Sequence, residues 1–591
     1  MVINNDIKYA LEYHDATKHS EASLMTSRHY LDFDNKPIPF KIYLELPSID
    51  LPSSFPAPEV NAISCIAGRI DQTSYSARGG GAAAAATMKS SDDSAASARR
   101  ISKLDVRHVA ELLFFSAGIT RVMRYPYGSY YMRAASATGA LYPIELYVVC
   151  DDISSALKAG VYHFSPADFS LTEIRKGRRY KEYLAAMASS QDILNSPLTI
   201  IFTSLAWRNA WKYQARSYRH WFWDAGVIAA NLLATSSAIG LPARVITGFV
   251  DDSVDDLLRL EDNKEASIAM VAVGVELPTD SNNISQQEQG QSAEQYTIEE
   301  QQPSPKIRPL SKRGEISYPE IWKLNEASKL RNKEEVSGWI NNSHDDHYLS
   351  ARKLEFRQGK SAKHVQNNIL PRELQGDAKD SLDLKEAILW RGSSRRFARS
   401  PIRLSVLKSI LYCSTRGVPM DIFDYGTSMT DIYFVANAVD SLNPGGYFYK
   451  RREGADPNGY FDKIKDIPYS RKVSAYLCLG QSLFGDASAV LFLMSDLHSV
   501  LHSLGNRGYR ACQLEAGIMA GKIYLAAYAH KIGASGSTFF DDAVTEFFSP
   551  HASNKSTMIA VGLGVPAYKA RQGKILPWRL SKEQLLTYDF A

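Results

Sequence analysis

The sequence predicts an α+β protein of two similar domains, each an antiparallel-type mixed sheet flanked by helices. The chain has 591 residues, well beyond the roughly 250–300 residues at which a single core stops growing. Hydrophobic residues make up 45% of it and charged residues 22%, which is the composition of a folded globular protein. Two blocks, at residues 100–277 and 383–566, also repeat one order of helix and strand patterns.

The repeat can be followed element by element. Each block opens on an amphipathic helix, VRHVAELLFFSAGI or LSVLKSILYCSTRG, and continues into strands at ELYVV or DIYFV, GVYHF or GGYFY, and LTIIFTS or AVLFLMS. A Tyr-Arg step then leads into a long apolar helix, SYRHWFWDAGVIAANLLA or GYRACQLEAGIMAGKIYLA, and the last strand is ASIAMVAVGV or STMIAVGLGV. This alternation of helix and strand patterns predicts, in each block, a sheet that is covered by helices.

The remaining segments separate these blocks. Residues 1–98 predict an N-terminal arm with little regular structure, because prolines interrupt it, followed by a Gly/Ala/Ser run that is too poor in bulky side chains to pack. A stretch rich in Gln, Ser and Glu, 280–309, predicts a flexible linker, and helical patterns follow to about residue 380. The predicted domains are therefore 99–279 and 381–591, with 280–380 as a linker and helical segment.

Composition and charge exclude several classes of function. A net charge of +4 from 68 basic and 64 acidic residues leaves no basic stripe, so nucleic acid is not an expected partner. The first twenty residues lack the apolar segment of a secretory signal. The longest apolar stretch, Gly226 to Leu241, is short for a membrane span and predicts a buried helix. Five dispersed cysteines without a CxxC pair suit a reducing cytoplasm.

A metal site is not predicted. His344-Asp-Asp-His347 has the residue types that bind metals. It lies in a polar stretch next to a predicted helix, and so a solvated surface is the simpler interpretation.

Two long motifs carry a resemblance to a known family. At RAASATGALYPIELYVV (Arg133 to Val149) and WKYQARSYRHWFWDAG (Trp211 to Gly226), the first block resembles the SagB-type dehydrogenases of the nitroreductase superfamily. The second block resembles the same superfamily through RGSSRRF (Arg391 to Phe397) and KAR (Lys569 to Arg571). The resemblance implies FMN held at a dimer interface by both partners. The family includes oxidases that make thiazoles and oxazoles in peptide natural products.

The two blocks retain different parts of that flavin site. A phosphate dianion needs cations and hydroxyl donors, and the resemblance assigns this role, at a predicted helix start, to Arg391, Ser393, Arg395, Lys569 and Arg571. The first block lacks the set but retains the small-residue loop that approaches the flavin ring, with Arg133, Ser136, Thr138 and Gly139. The second block reads PMDIFDYGTSM at that place.

Each block lacks the part of the flavin site that the other block retains, which predicts one FMN per chain. In the family's homodimers the phosphate-binding set and the ring-side loop come from different partners, so one composite site can form at a pseudo-twofold interface within this chain. Ser537 and Thr538 are expected to place backbone donors near the hydride-accepting nitrogen. The chain would then be an intrachain pseudo-dimer that can act as a monomer.

The expected chemistry rests on an adjacent Lys-Tyr pair. Azoline oxidases of the family carry such a pair, and Lys212 and Tyr213 stand at its position, whereas the second block has Ser503 and Leu504. An azoline becomes aromatic by losing a proton and a hydride, so it needs a base. Lysine can serve if burial or nearby cations lower its pKa. Trp211, Arg216 and Arg219 are expected to provide these influences, with Lys212 as base and Tyr213 as relay or orienting group.

The sequence leaves several functions open. The leading hypothesis is an FMN-dependent dehydrogenase that converts a thiazoline or oxazoline to the azole, with oxygen reoxidising the flavin. Its substrate would be linked to a ribosomal peptide or to a carrier protein, and its partner a heterocyclase or a nonribosomal synthetase. The alternatives are an NAD(P)H-dependent nitroreductase and a non-catalytic scaffold subunit of a heterocyclase complex.

Overall fold

The computed structural model describes residues 3–68, 104–126, 128–275, 303–352, 379–423, 426–451, 460–577 and 579–588. The predicted Gly/Ala/Ser run, 79–97, and most of the predicted linker, 280–302, lie outside these ranges. In the described part of the chain, no helix combines the length and the apolar character needed to cross a bilayer.

The helices are numbered in chain order. They are α1 (Lys8–Ala16), α2 (Glu21–Thr26), α3 (Ala62–Ile66), α4 (Val106–Ala117), α5 (Arg179–Met187), α6 (Gln191–Asn195), α7 (Ala206–Tyr213), α8 (Ser217–Ala238), α9 (Asp251–Leu258), α10 (Pro319–Ala327), α11 (Lys333–Asp345), α12 (His347–Ala351), α13 (Leu384–Trp390), α14 (Leu404–Ser414), α15 (Ser470–Leu477), α16 (Ser482–Asp486), α17 (Leu497–Ala529), α18 (Asp541–Phe548) and α19 (Lys582–Leu586). Short 3-10 turns lie at Ile3–Asn5, Phe33–Asn35, Thr138–Ala140 and Gln214–Arg216.

The strands form two large sheets and one hairpin. They are β1 (Ser48–Asp50), β2 (Ile119–Tyr125), β3 (Gly128–Arg133), β4 (Ile144–Cys150), β5 (Gly160–Ser165), β6 (Ser170–Lys176), β7 (Leu198–Leu205), β8 (Ala243–Ile246), β9 (Glu265–Val273), β10 (Thr430–Ala436), β11 (Gly445–Lys450), β12 (Tyr460–Asp466), β13 (Ala489–Ser495), β14 (Gly533–Ser537) and β15 (Ser556–Gly564).

The order of the strands confirms the predicted repeat. The first sheet runs β1-β6-β5-β4-β7-β9-β8, the second runs β12-β11-β10-β13-β15-β14, and β2 and β3 form the hairpin. Apart from β1, the two sheets have the same order, and the pairs within them are antiparallel. Strands β4, β7 and β9 are buried throughout, since apolar clusters cover both faces of the first sheet. The chain therefore contains two α+β domains of one topology.

The two long helices α8 and α17 cross at the centre of the molecule. A Cβ added to Gly226 would lie 2.5 Å from the carbonyl carbon of Gly517, and one added to Gly517 would lie 2.7 Å from the carbonyl oxygen of Phe222. Carbon atoms do not approach so closely without repulsion, so each glycine allows the other helix backbone to come near. These crossing points lie at matching positions of the repeat, on the pseudo-twofold axis.

Buried ion pairs link the domains on both sides of this axis. Arg216 and Arg219, at the start of α8, donate to Asp541 at 3.0 and 2.7 Å. Arg507 and Arg510, at the matching positions of α17, donate to Asp251 at 2.5 and 2.7 Å. All six side chains are buried. Each carboxylate begins a helix of one domain and is neutralised by the other domain.

The N-terminal arm is more regular than the sequence predicted. It forms helix α1 and strand β1, because each finds a partner far along the chain. The Ala10 amide donates to Asn506 of α17 at 3.0 Å, and β1 pairs with β6. The C-terminal tail of the second domain contacts the first domain, since the Lys574 amide donates to the Thr120 carbonyl at 2.9 Å. The two domains are thus interlocked by their termini.

The helical segment after residue 310 repeats part of this arm. The His19 amide, after α1, donates to Asp541 at 2.8 Å, and the Leu330 amide, after α10, donates to Asp251 at 2.9 Å. Helix α10 therefore has the same place in the second half that α1 has in the first. Helices α2 and α11 follow them, but α2 buries no residue whereas α11 buries Trp339.

Candidate active site

The Lys-Tyr pair lies at the end of α7, in front of a sharp turn. Gln214 has φ 49° and ψ −141°, a conformation that L side chains rarely adopt. Its counterpart in the second half is Gly505, with φ 66° and ψ −162°. This match makes Ser503 and Leu504 the structural counterparts of Lys212 and Tyr213.

Tyr213 contacts the small-residue loop of the first domain. Its hydroxyl lies 2.9 Å from the place that a Cβ on Gly139 would take, and Gly139 has φ +66°. Any larger residue there would be strained and would collide with the phenol. The neighbouring Thr138 donates its amide and its hydroxyl to Asp224, both at 2.8 Å. The structure thus brings the predicted Lys-Tyr pair and the predicted loop together.

A cation of the second domain, Arg395, acts electrostatically on both residues of the pair. Burial lowers the pKa of Lys212, and the positive charges of Arg395 and Lys36 lower it further. Burial raises the pKa of Tyr213, and Arg395 opposes this. The cations that act on Lys212 are therefore Arg395 and Lys36 rather than the expected Arg216 and Arg219, whose charge is taken up by Asp541.

The predicted phosphate-binding residues lie on extended chain. The expectation of a helix start is wrong, because α13 ends at Trp390 and residues 391–398 follow it without helix. The Ser393 hydroxyl lies 3.4 Å from the hydroxyl of Tyr524, and the Arg395 amide donates to Tyr568 at 3.3 Å. The side chains of Arg395, Lys569 and Arg571 are exposed, and no described carboxylate pairs with them.

Arg391 and Arg133 are used differently from the other predicted residues. Arg391 is buried, and its guanidinium donates to the carbonyl oxygens of Ala134, at 2.8 Å, and Arg133. It therefore ties the second domain to the loop of the first. Arg133 is also buried; it donates to Pro39 and lies over the Tyr142 ring, 4.8 Å from its centroid. Both guanidinium groups hold the protein backbone and neither is exposed.

The turn with Ser537 and Thr538 is connected to the same segment. The Ser537 hydroxyl donates to the Thr538 carbonyl at 2.6 Å and accepts from Gln481 at 3.0 Å. The preceding amide, of Gly536, donates to the Tyr524 hydroxyl, which lies beside Ser393. Tyr524, which the sequence analysis missed, thus joins the turn to Ser393. Ser136 lines a narrow cleft beside Asp224 in the first domain.

The equivalent turn in the first domain is closed by an internal carboxylate. Asp421 accepts from the Thr247 amide at 2.8 Å, the Thr247 hydroxyl at 2.7 Å and the Gly248 amide at 2.8 Å. Helix α11 lies over this turn, with Ile340 against Gly248 and His344 bonded to the Asp421 carbonyl at 2.9 Å. The backbone amides of the turn at Thr247 and Gly248 therefore already have an acceptor within the chain, the carboxylate of Asp421.

The fold is that of a fused pair of nitroreductase-like domains. A sequence model of the nitroreductase family matches residues 84–275 of this chain. A crystal structure from Anabaena variabilis, described as a nitroreductase, is similar over 94% of this chain and 99% of its own, with 22% identity and a TM-score of 0.65. This likeness extends the fold over both domains.

Two further matches are partial. Trifolitoxin-processing protein TfxB of Rhizobium leguminosarum bv. trifolii is 27% identical over 180 residues, which are 29% of this chain and 48% of that protein. The chain thus spans about half the length of this curated relative. A chain of the E. coli microcin synthetase McbBCD complex matches over 33% of this chain and 76% of its own, with 21% identity and a TM-score of 0.26.

Proposed function

We propose that this chain holds one FMN between its two domains and dehydrogenates an azoline, linked to a peptide or to a carrier protein, to the aromatic azole. The observation that carries this proposal is the position of Tyr213 against the loop at Gly139 of the first domain, beside which Arg391 of the second domain donates to the Ala134 carbonyl. TfxB, the relative that processes trifolitoxin, supports a role in the maturation of a natural product. A heterocyclase or a nonribosomal synthetase would supply the azoline.

The residues of the site suit FMN. A phosphate dianion calls for cations that are not already neutralised and for hydroxyl donors. Arg395, Lys569 and Arg571 are exposed and lack a carboxylate partner among the described residues, and Ser393 adds a hydroxyl. The loop of Ser136, Thr138 and Gly139 carries only small side chains, so its backbone could approach a ring system. When bound, FMN would supply a two-electron acceptor for the hydride, and the protein would orient the reactants.

Lys212 is suited to take the proton that leaves the azoline carbon. Neutral amine is the form that accepts a proton, and the lowered pKa of Lys212 increases its share. Tyr213 has a raised pKa because it is buried, so its phenol stays protonated and can donate a hydrogen bond. Its position against Gly139 lets it orient a ring in the loop. The proton thus passes from the substrate carbon to Nζ of Lys212.

The expectation of one site per chain agrees with the contacts of the turn at Thr247, the counterpart of the turn at Ser537. Asp421 satisfies the backbone donors of the turn at Thr247, and α11 covers that turn. In the first half, the equivalent helix α2 buries no residue. Access is therefore expected at the Lys-Tyr side, where the covering segment is short.

The test is a pair of matched variants assayed for azole formation. Lys212→Ala removes the base, while Ser503→Ala changes its structural counterpart in the other half. Mass spectrometry of an azoline-containing peptide should show the loss of two hydrogens with the parent and with Ser503→Ala. Lys212→Ala should lose at least about 100-fold in rate, the range of general-base catalysis, and should still bind flavin. Unchanged turnover in Lys212→Ala would overturn the assignment.

The alternative functions give different results in the same experiment. A nitroreductase would bleach its flavin with NADPH alone and would not need Lys212. A scaffold subunit would stay colourless after incubation with FMN.

A further inference from the structure

A buried histidine lies directly behind Tyr213. The rings of His220 and Tyr213 meet edge to face, with centroids 4.6 Å apart and an interplanar angle of 89°. His220 is fully buried, and its ring centroid also lies 4.8 Å from that of Trp223. The phenol of Tyr213 is therefore held between His220 and the loop at Gly139.

Hydrogen bonds connect this histidine to the same loop. Nδ1 of His220 lies 2.7 Å from Oδ1 of Asn209, and an amide oxygen can only accept, so Nδ1 carries the hydrogen. The amide of Asn209 donates to the Thr138 carbonyl at 3.4 Å. Thr138 in turn is anchored on Asp224. One network therefore fixes the histidine ring and the loop that Tyr213 touches.

The other half of the chain serves as an internal control. The ion pairs that link the domains occur in both halves: Arg219 has Arg510 as its counterpart, and each bonds to a carboxylate of the opposite domain. His220 has Ala511 at the matching position. Asn209, five residues before the turn at Gln214, corresponds to a valine five residues before Gly505. The pair occurs only in the half that carries Lys-Tyr, which argues against a purely architectural role.

We propose that His220, oriented by Asn209, is a positioning residue that holds the Tyr213 phenol over the Thr138–Gly139 loop. Burial lowers the pKa of His220 well below its usual range, so the ring is neutral and adds no charge beside Lys212. The contribution of this contact to catalysis rests on the proposed function. The contact itself can be tested without turnover.

The first measurement observes Tyr213 directly. 3-Fluorotyrosine is placed at position 213 of the full chain, and its ¹⁹F resonance is titrated with alkali. His220→Phe keeps an aromatic ring but removes the hydrogen bond to Asn209. Asn209→Leu removes the same hydrogen bond and keeps the histidine. Both should lower the midpoint of the phenol titration towards that of an exposed tyrosine. Asn231→Leu removes a buried bond to the Phe115 carbonyl elsewhere on α8 and should leave the midpoint unchanged.

The second measurement is a double-mutant cycle on the azoline reaction. His220→Phe should lower kcat by roughly tenfold to hundredfold, as expected for a misplaced catalytic group, with KM changed less than about twofold. In a Tyr213→Phe background it should have almost no further effect, because it acts through the phenol. Additive effects, or an unshifted ¹⁹F titration in both variants, would overturn the proposal.

The two readouts separate the two hypotheses. If the parent protein oxidises no azoline, the proposed function fails, while the ¹⁹F titration still decides whether His220 positions Tyr213. If His220→Phe fails to fold, Asn209→Leu gives the same titration with the histidine ring retained.

Discussion

Replacing Asp541 by asparagine tests how the interface between the domains supports the site. Its carboxylate accepts from Arg216 at 3.0 Å, from Arg219 at 2.7 Å and from the His19 amide at 2.8 Å. Asparagine keeps the shape and one acceptor but removes the charge. Two buried guanidinium groups would then lack their counter-ion.

The expected loss of stability follows from the burial of these groups. Breaking a buried ion pair from one side costs about 3–5 kcal/mol, because the remaining charge is left uncompensated. Burial alone would raise the pKa of Asp541, but the charges of Arg216 and Arg219 outweigh it, and the pKa is lowered. A lowered pKa means that this stabilisation is present above the unfolded value of about 4 and is lost as the pH falls through the folded value. The difference between parent and variant should therefore shrink in acid.

Asp251→Asn is the matched control, because Asp251 bonds to Arg507 and Arg510 at the other end of the interface. In both variants, the urea concentration at the midpoint of unfolding should fall to a similar extent at pH 7. Only Asp541 begins the helix that follows the turn of Ser537 and Thr538, so only Asp541→Asn should release FMN during dialysis, as measured by absorbance. Equal release from both variants, or unchanged midpoints, would refute this reasoning.

Three further outcomes are expected. Purified protein should contain one FMN per chain by absorbance, and Arg395→Ala with Lys569→Ala should release it, whereas Arg396→Ala should retain it; two flavins per chain would contradict the layout. Burial raises the pKa of Asp224 to about 7, above its unfolded value, so its charged form opposes folding. Relative to that of Asp224→Asn, the free energy of unfolding of the parent should rise by up to about 4 kcal/mol as the pH falls from 8 to 4. If the free energies of unfolding of the two proteins change in parallel with pH, this expectation is wrong. Gly226→Val should lower the urea midpoint strongly, since its Cβ meets a helix backbone at 2.5 Å, and an unchanged midpoint would show that the helices can separate.

The sequence predicted the repeated elements well, because the periodicity of apolar residues is a local property of helices and strands. It failed for the N-terminal arm, whose helix α1 is stabilised by Asn506 and other residues of α17, about five hundred positions away. It also missed that α1 recurs as α10. A signal was present in the sequence: DATKH at the end of α1, Asp15 to His19, resembles EASKL at the end of α10, Glu326 to Leu330.

The candidate site was predicted in part. The adjacency of the Lys-Tyr pair and the Gly139 loop could be expected from the motifs, but the burial of Arg391 could not. An arginine that binds phosphate and one that holds backbone carbonyls look the same in a sequence. The role of Asp421 could not be predicted for a related reason, since its partners Thr247 and Gly248 lie more than 170 positions away in the sequence.

The turn after Tyr213 has a different energetic cost in the two halves. A residue other than glycine at such a backbone conformation costs about 1–2 kcal/mol, and the second half avoids this with Gly505. The first half keeps Gln214 there, and neighbouring contacts hold the turn: Trp211 donates to the Asp32 carbonyl at 2.8 Å, and Tyr13 to that of Ala215 at 2.6 Å. Such a strained turn persists only where its surroundings determine it. The half that carries Lys212 thus has a costly backbone geometry directly after the pair, whereas the half without the pair has glycine at that place.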